Sequence, residues 1–386
     1  MRTAIQDLPA SRIREVANAG LGRADVLAFW FGESDEVTPL AVREAASQSL
    51  LAGETFYSHN LGLPELRAAL AGYISGLHGA VDIDRVAVAS SGVTALMIAM
   101  QLLAGAGDEV VAVVPVWPNL TAQPAILGAR VTRVSLHPDA DGAWRLDIAE
   151  LLAAVTAQTR VLLVNAPNNP TGWTLSRAEQ RTLIEHCRRT GTWIVADEVY
   201  DRLYFGDEGQ GTAAPSFLDI AADDDRLIVV GSFSKSFLMT GWRLGWLVLP
   251  RGHLDAAGKL LEFNSSCAPV FVQRGGLAAL AGADSSVAPL VGRLRACRDR
   301  LTAGLQRLPG VRVAMPPGGL YAFFRVEGRD DSLAFAKSLV AEHGLGLAPG
   351  VAFGAEGEGW LRWCFASREP ERLDAGLLRL GTALGL

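Results

Sequence analysis

Cysteine is scarce in this sequence, and the positions of the few cysteines exclude two kinds of site. The 386 residues include four cysteines, at Cys187, Cys267, Cys297 and Cys364. They are widely separated and follow neither the spacing of a zinc site nor that of a disulfide framework. We expect reduced, mostly buried thiols in a cytoplasmic protein. The six histidines do not cluster either, so we expect no metal site.

Long apolar runs and excess positive charge are also missing. No stretch of about 18 uncharged apolar residues occurs, which predicts no transmembrane helix and no membrane partner. The first twenty residues lack an apolar segment flanked by positive charge, which predicts no signal peptide. The formal net charge is −6, which argues against nucleic acid as a partner. These absences favour a globular protein of the cytoplasm.

The length and composition indicate a folded protein with more than one domain. A chain of 386 residues exceeds what one hydrophobic core usually supports. With 49% hydrophobic and 20% charged residues, it has enough apolar surface to fold rather than stay disordered. We predict a large domain over 41–285 and a smaller domain built from 1–40 and 286–386.

Helices and strands are predicted to alternate through the middle of the chain. Predicted strands at 109–114, 160–164, 193–196 and 226–231 are apolar throughout, which indicates burial on both faces. The pattern predicts an α/β protein whose large domain has three layers, α/β/α, around a mostly parallel sheet. The last hundred residues predict a smaller α+β domain. Polar residues follow the strands, at the edge where open α/β sheets bind ligands.

A lysine and an arginine at one strand end form the first candidate pair. Lys235 lies in a Gly-Ser-Phe-Ser-Lys segment, and Arg243 follows eight residues later between glycines and tryptophans. Lys235 taken alone is compatible with an ordinary surface lysine. Arg243 is poorly placed for a free solvated face, and its guanidinium suits an anion such as a phosphate.

A carboxylate follows the next strand towards the N-terminus. Asp197 directly follows a predicted apolar strand, and Tyr200 lies three residues later. One interpretation of Asp197 is a helix cap or turn residue. The other is a buried carboxylate that keeps a cationic ring nitrogen protonated, because an opposite charge in low dielectric favours the charged form.

Three further segments are candidates for the same edge. The turn 165–172, which reads Asn-Ala-Pro-Asn-Asn-Pro-Thr-Gly, is compatible with a plain turn or with a site loop. The turn 91–94 opens a predicted helix, whose free amides suit a phosphate. Trp117 is compatible with a core position or with stacking on a flat ring.

Taken together, these motifs resemble the class I/II aminotransferase family, the fold type I pyridoxal-phosphate enzymes to which aspartate aminotransferase belongs. The resemblance runs from about Phe29 to Ala366. SFSKSFLMTGWRLG is similar to the cofactor-lysine signature of that family. ADEVYD, NNPTG, YSHNLGLPELRAAL and the late PGVAFG and GWLRWCFA segments follow in the family's order.

The resemblance implies a pyridoxal 5′-phosphate site. Lys235 would carry the cofactor as a Schiff base and act as general base, while Asp197 would pair with the pyridine N–H. Tyr200 and Asn169 would hydrogen-bond the ring hydroxyl oxygen, and Trp117 would stack on the ring. The implied cofactor-binding residues are Ser91, Gly92, Val93, Trp117, Asn169, Asp197, Tyr200, Ser232, Lys235, Arg243 and Tyr57.

The resemblance also implies a substrate site and a partner. Arg362 would bind the α-carboxylate of an amino acid or 2-oxo acid in a fork of two hydrogen bonds, helped by the backbone of Gly32 and by Asn169. Ser232, Arg243 and the 91–93 turn would hold the cofactor phosphate. Tyr57 would reach the phosphate of a neighbouring subunit, which implies a homodimer.

The sequence departs from the family pattern in places that concern the phosphate and the substrate. Phe31 makes the entrance bulky. Val93 stands where well-known members have a hydroxyl, and Thr94 is a candidate to replace it. If Ser266 aligns with a phosphate-contacting serine of the best-studied subgroup, Glu262 occupies the position of an arginine that reads a side-chain carboxylate. That favours a neutral or cationic substrate side chain, unless Glu262 is merely a helix surface residue.

Two alternatives to transamination stay open at the level of the sequence. The same fold supports other pyridoxal-phosphate reactions, such as β-elimination by a lyase, ring closure by a synthase, or oxidation by dioxygen. A non-catalytic regulatory module is the second alternative. The retained Lys235 and the lack of a basic or helix-turn-helix extension weigh against it.

Overall fold

The computed structural model describes residues 2–206 and 213–386. Its strands, in chain order, are β1 Leu27–Ala28, β2 Val86–Ala89, β3 Glu109–Val114, β4 Arg130–Pro138, β5 Trp144–Leu146, β6 Thr159–Asn165, β7 Trp193–Asp197, β8 Leu227–Ser232, β9 Gly245–Val248, β10 Val311–Arg312, β11 Tyr321–Val326, β12 Leu345–Gly346, β13 Ala348–Pro349 and β14 Trp360–Cys364. The helices are α1 Thr3–Gln6, α2 Arg12–Gly20, α3 Leu40–Leu51, α4 Pro64–Leu77, α5 Gly92–Leu103, α6 Asn119–Leu127, α7 Ile148–Ala154, α8 Arg177–Thr190, α9 Leu254–Ser265, α10 Val270–Ala281, α11 Ala283–Gln306, α12 Ser332–His343 and α13 Glu371–Ala383.

A mostly parallel sheet of eight strands forms the centre of the molecule. Its order is β2-β9-β8-β7-β6-β3-β4-β5. The pairs from β8 through β7, β6 and β3 to β4 are parallel. Strand β9 is antiparallel to both of its neighbours, so β2 runs in the same direction as β8. The carboxyl ends of β2, β8, β7, β6 and β3 therefore meet at one edge.

Alternate residues of the central strands pack into two different hydrophobic cores. On β6, Leu162 and Val164 belong to one core, together with Leu183 of α8. Val161 and Leu163 belong to the other, which also contains apolar residues of α5 and α9. Because successive side chains of a strand point to opposite faces, helices cover both faces of the sheet. The predicted three-layer α/β/α architecture is confirmed.

Local signals set the boundaries of the helices next to the sheet edge. Ser176 and Glu179 form a reciprocal capping box at the start of α8, as the sequence predicts. Gly191 ends the same helix in a left-handed conformation, which glycine adopts without a Cβ penalty. The strand β7 follows at once and points Asp197 towards the carboxyl edge.

A smaller antiparallel sheet follows in the C-terminal part of the chain. Its order is β10-β11-β14-β13, and α12 and α13 accompany it. The N-terminal segment contacts this part, because β1 pairs in parallel with β12. Helix α11 runs across the predicted boundary at residue 285, and the domain limits stay a prediction. Among residues 2–206 and 213–386, no helix is long and apolar enough to cross a membrane.

Candidate active site

Polar residues end the parallel strands at one edge of the large sheet. Asn165 and Asp197 are directly opposed on β6 and β7, and Ser232 is the last residue of β8. All three are buried. A buried polar side chain needs a partner to offset its lost hydration, and Asn165 and Ser232 have such partners in neighbouring groups of the chain.

A cavity of about 220 Å³ opens at this edge. Its walls bring together side chains from both sheets and from the N-terminal segment. The sequence-predicted residues that line it are Gly32, Gly92, Val93, Trp117, Asn169, Asp197, Tyr200, Ser232, Lys235, Arg243 and Arg362. The other lining residues are Ile13, Phe31, Asn165, Val199, Ser234 and Tyr321.

The start of α5 brings backbone amides to the cavity. Ser91 caps the helix, since its hydroxyl oxygen accepts a hydrogen bond of 3.0 Å from the amide of Thr94. The first amides of a helix have no acceptor within the helix, and Gly92 and Val93 line the cavity with theirs. Gly245 allows this approach, because a Cβ there would lie 2.4 Å from the nitrogen of Gly92. The arrangement suits a phosphate group.

Two side-chain-bearing residues near this part of the cavity have an unusual backbone conformation. Ser91 has a φ of 140° and Arg243 a φ of 57°, values that side-chain-bearing residues seldom adopt. Such strain persists where the surrounding structure enforces it, often at ligand sites. Arg243 lines the cavity but is exposed in the single chain. The expectation that Arg243 is poorly placed for a free solvated face therefore does not hold in the single chain.

Lys235 extends into the cavity from the loop after β8. Its Nζ atom donates a hydrogen bond of 2.6 Å to the carbonyl oxygen of Gly32. Burial lowers the pKa of Lys235 to about 8, because removing water disfavours the charged ammonium. A larger share of neutral amine is therefore present near neutral pH than in an ordinary lysine. A neutral amine is the form that attacks a carbonyl carbon.

Asp197 is a buried carboxyl group that has no cationic hydrogen-bond partner among residues 2–206 and 213–386. Burial raises the pKa of Asp197 to about 6. The amide of Val199 donates to its carboxylate over 3.3 Å, and within the described ranges no ion pair includes Asp197. The charge of Lys235 opposes the pKa rise only in part. A protonated ring nitrogen is the kind of partner this carboxylate requires.

Arg362 has a buried guanidinium group, and a buried cation is stabilised by a negatively charged partner. It lies between the rings of Tyr321 and Phe353, with its central carbon 4.3 Å and 4.8 Å from the two ring centres. It donates to Oδ1 of Asn169 over 2.9 Å and to the carbonyl oxygen of Trp30. Its Nε is buried and has no hydrogen-bond partner among the residues that the structure describes. No Asp or Glu in the described part of the chain forms an ion pair with it, so the site suits a carboxylate ligand.

The hydroxyl of Tyr200 lies at the centre of a buried polar network. Nδ2 of Asn169 donates to it in a long hydrogen bond of 3.5 Å, and the hydroxyl of Tyr321 lies 2.7 Å away. Burial raises the pKa of Tyr200 well above its usual value. Tyr200 therefore stays protonated and is able to donate a hydrogen bond.

Two predicted cofactor residues do not line the cavity of the single chain. Ser91 contributes its helix cap instead of a cavity wall. Tyr57 is 89% exposed. A residue in contact with a buried ligand of its own chain would be much less exposed. The hydroxyl of Thr94 contacts that of Ser91 over 3.0 Å, and its role as a replacement for a hydroxyl at Val93 stays a prediction. Glu262 is exposed near the end of α9.

Tyr321 and Ile13 line the cavity but do not emerge from sequence reasoning. Tyr321 begins β11 after a pair of glycines, and Ile13 lies on the short helix α2. Neither belongs to a polar motif at the end of a central strand. The signal that was available for Tyr321 is a tyrosine two residues after the Gly-Gly turn that leads into the second sheet.

Comparison with known proteins gives consistent matches along nearly the whole chain. The family model described as aminotransferase class I and II matches residues 25–380. The aspartate aminotransferase of Pyrococcus horikoshii is 30% identical over 95% of this chain and 92% of its own length. The arginine–pyruvate transaminase of Pseudomonas aeruginosa is 33% identical over 88% of this chain and 85% of its own.

A solved structure agrees with the sequence relatives. The crystal structure of an aspartate aminotransferase from Thermotoga maritima superposes with a TM-score of 0.91 at 30% identity. The superposition covers 100% of both chains. The agreement therefore extends over both sheets and over the cavity between them.

Proposed function

The chain belongs to the aminotransferase class I and II family and is an aminotransferase, and we propose that it uses pyridoxal 5′-phosphate held at Lys235. In this proposal it transfers the amino group of an L-amino acid to a 2-oxo acid. The observation that carries it is that one cavity contains a half-buried lysine of lowered pKa and a buried carboxyl group that forms no ion pair within the described residues.

The residues around the cavity fit the proposed cofactor. Asp197 supplies the charge that a protonated pyridine nitrogen requires, and Lys235 supplies the amine for the aldehyde. The amides at the start of α5, with Ser232 and Arg243, suit the phosphate. When bound, the cofactor would supply an aldehyde carbon that binds the lysine amine or the substrate amine in turn. Its ring would accept the electron pair left when the substrate Cα loses its proton.

The chain's own groups then hold and move protons. The Lys235 amine would take the proton from the substrate Cα and hold it for return within the cavity. Asp197 keeps the ring nitrogen protonated throughout, because a buried carboxylate stabilises the adjacent cation. Trp117 lines the cavity and provides a flat apolar wall for a ring.

Arg362 orients the substrate in this proposal. A carboxylate that bridges the guanidinium engages its unused N–H groups and neutralises a buried charge. Asn169 holds one edge of the guanidinium, and Gly32 lies on the same wall of the cavity. Arg362 therefore fixes the α-carboxylate and places the Cα proton within reach of Lys235.

We propose a homodimer in which Tyr57 of one subunit completes the phosphate site of the other. Support comes from exposed aromatic side chains that a soluble single chain seldom presents together: Phe56 is 84%, Tyr57 89% and Phe263 87% exposed. A second copy of the chain would cover them. Light scattering of the cofactor-loaded protein tests this assembly, and a single-chain mass contradicts it.

The substrate side chain is proposed to be neutral or cationic, because Glu262 would stand where an arginine reads an acidic side chain. The relatives differ in this respect, since their names specify aspartate in one case and arginine with pyruvate in another. A screen of the twenty amino acids and basic non-standard ones tests it. A wide preference for aspartate or glutamate as donor contradicts it.

We propose that the protein works in the cytoplasm. Cys187, Cys267, Cys297 and Cys364 are all free, and three of them are buried. Unpaired thiols favour a reducing compartment. Fractionation of cells that express the protein at its natural level tests the location, and recovery outside the cytoplasmic fraction contradicts it.

A half-reaction tests the reaction type. The loaded protein is mixed with an amino acid without any 2-oxo acid acceptor. We expect stoichiometric release of the matching 2-oxo acid and conversion of the cofactor to its amine form. Ammonia or pyruvate released in many turnovers indicates a lyase instead, and consumption of dioxygen indicates an oxidase.

A further inference from the structure

Four side chains on one wall of the cavity form a closed circuit. Arg362 donates to Oδ1 of Asn169 over 2.9 Å, and Nδ2 of Asn169 reaches the hydroxyl of Tyr200 at 3.5 Å. The hydroxyls of Tyr200 and Tyr321 lie 2.7 Å apart. The ring of Tyr321 then lies against the guanidinium of Arg362, 4.3 Å from ring centre to carbon. Tyr321 thus connects the proposed ring-oxygen donor to the proposed carboxylate binder.

The second sheet fixes the position of Tyr321 firmly. Tyr321 is fully buried and opposes Cys364 where β11 pairs with β14. Gly32 leaves room for its hydroxyl, because a Cβ on Gly32 would lie 1.9 Å from the hydroxyl oxygen. The buried ring of Tyr321 and the glycine at position 32 together determine where this hydroxyl lies.

The donors and acceptors in the circuit determine the direction of the hydrogen bond. A tyrosine hydroxyl has one proton, and Tyr200 must use its proton if it donates to an oxygen on a bound ligand. Asn169 already donates to Tyr200 and therefore does not compete for that proton. The short contact with Tyr321 is then satisfied only if Tyr321 donates to the oxygen of Tyr200.

We propose that Tyr321 is a positioning residue that acts through Tyr200. The inference rests on the proposed function, because it requires a cofactor oxygen that accepts the proton of Tyr200. By donating to Tyr200, Tyr321 directs that proton towards the ligand and strengthens the bond it makes, since linked hydrogen bonds polarise one another. The ring of Tyr321 supports Arg362 independently of the hydroxyl.

Tyr321→Phe removes the hydroxyl and keeps the ring beneath Arg362. The visible absorption of the loaded protein, titrated with pH, gives the pKa of the lysine-bound cofactor. A donor at the ring oxygen stabilises its negative charge and lowers this pKa, so weaker donation raises it. We expect an increase of about 0.5 to 1 pH unit in Tyr321→Phe. Unchanged titration in Tyr321→Phe would overturn the proposal.

A double-mutant cycle separates action through Tyr200 from a general change in the cavity. Tyr200→Phe alone raises the same pKa by more, and adding Tyr321→Phe to it then has no further effect. Such non-additivity is expected only when Tyr321 affects the cofactor through the hydroxyl of Tyr200. An equal shift from Tyr321→Phe in both backgrounds overturns the proposal.

Binding provides a further readout for Tyr321→Phe. The 2-methyl derivative of the best donor amino acid has no Cα proton, so its titration measures binding alone. Its affinity stays within about twofold, since the ring under Arg362 remains; a tenfold loss contradicts action through Tyr200.

Tyr73→Phe is the matched control, since that hydroxyl contacts Arg202 outside the cavity, and its titration matches the wild type. A wild-type protein without a visible band contradicts the proposed function instead.

Discussion

The Nζ atom of Lys235 donates a hydrogen bond to the carbonyl oxygen of Gly32, which lies 2.6 Å away and 203 residues earlier in the chain. The bond joins the loop after β8 to the segment that follows β1. It holds the side chain of Lys235 at the cavity wall. The same amine has a pKa of about 8, because burial disfavours its charged form.

Lys235→Ala is expected to abolish covalent attachment of pyridoxal 5′-phosphate and to lower the transamination rate by at least about 1,000-fold. The sequence has two other lysines, Lys259 and Lys337, which form ion pairs away from the cavity. Borohydride reduction followed by peptide mapping identifies the modified residue. Lys259→Ala is the matched control and keeps the label at Lys235. A label on Lys259 or Lys337 contradicts the assignment.

The rate of cofactor uptake is expected to follow the ionisation of Lys235. The neutral amine attacks the aldehyde, and its fraction rises with pH up to the pKa of about 8. The rate constant for appearance of the visible band therefore rises about tenfold per pH unit below 8 and levels off above it. Stopped-flow mixing of the cofactor-free protein measures this. A profile that levels off only near pH 10 indicates an unperturbed lysine.

Much of the fold follows from sequence patterns, and most residues of the cavity wall are those that the family resemblance implied. Continuous apolar runs predicted the parallel strands, and parallel strands place Asn165, Asp197 and Ser232 at one edge. Tyr321 was missed because it reaches the cavity from β11, whose position depends on how the second sheet packs. The exposure of Arg243 was missed for a related reason. Arg243 has a left-handed φ that the tertiary fold imposes, and this backbone conformation turns the chain at that residue.

Asp197→Asn is expected to stabilise the cofactor-free protein and to disable the loaded one. The folded-state pKa of about 6 lies above the usual 3.8, so the folded state binds its proton more tightly than the unfolded state. Stability is therefore lost as pH rises from about 4 to 6. Above pH 6 the buried charge costs on the order of 2–3 kcal/mol, which the amide avoids.

Urea unfolding at pH 8 and pH 5 measures the effect of Asp197→Asn. We expect a higher midpoint than wild type at pH 8 and a smaller difference at pH 5. The loaded variant loses activity by about 100-fold or more, because the ring nitrogen is no longer held protonated. At each pH, the urea midpoint of the variant is compared with that of the wild type. If this difference is less favourable to the variant at pH 8 than at pH 5, Asp197 is not a buried unpaired charge.

Arg362→Gln is expected to lower kcat/KM by about 100- to 1,000-fold, since a buried bidentate contact to the α-carboxylate is lost. Arg130→Gln serves as control, because this exposed arginine pairs with Glu109 on the surface. The same assays with the corresponding amine, which lacks the carboxylate, separate the causes. The amine reacts poorly with the wild type and equally poorly with Arg362→Gln. A further large loss with the amine indicates damage to the cavity rather than a missing carboxylate contact.

Mixed dimers test whether Tyr57 acts on the neighbouring subunit. In Tyr57→Ala dimers both phosphate sites lack the tyrosine, and in Lys235→Ala dimers both sites lack the lysine. A mixed dimer of the two variants has one site with both defects and one with neither. Co-refolding equal amounts is therefore expected to restore about a quarter of wild-type activity, because half of the dimers are mixed and each has one intact site. If Tyr57 acts within its own subunit, every site keeps one defect and mixing restores nothing.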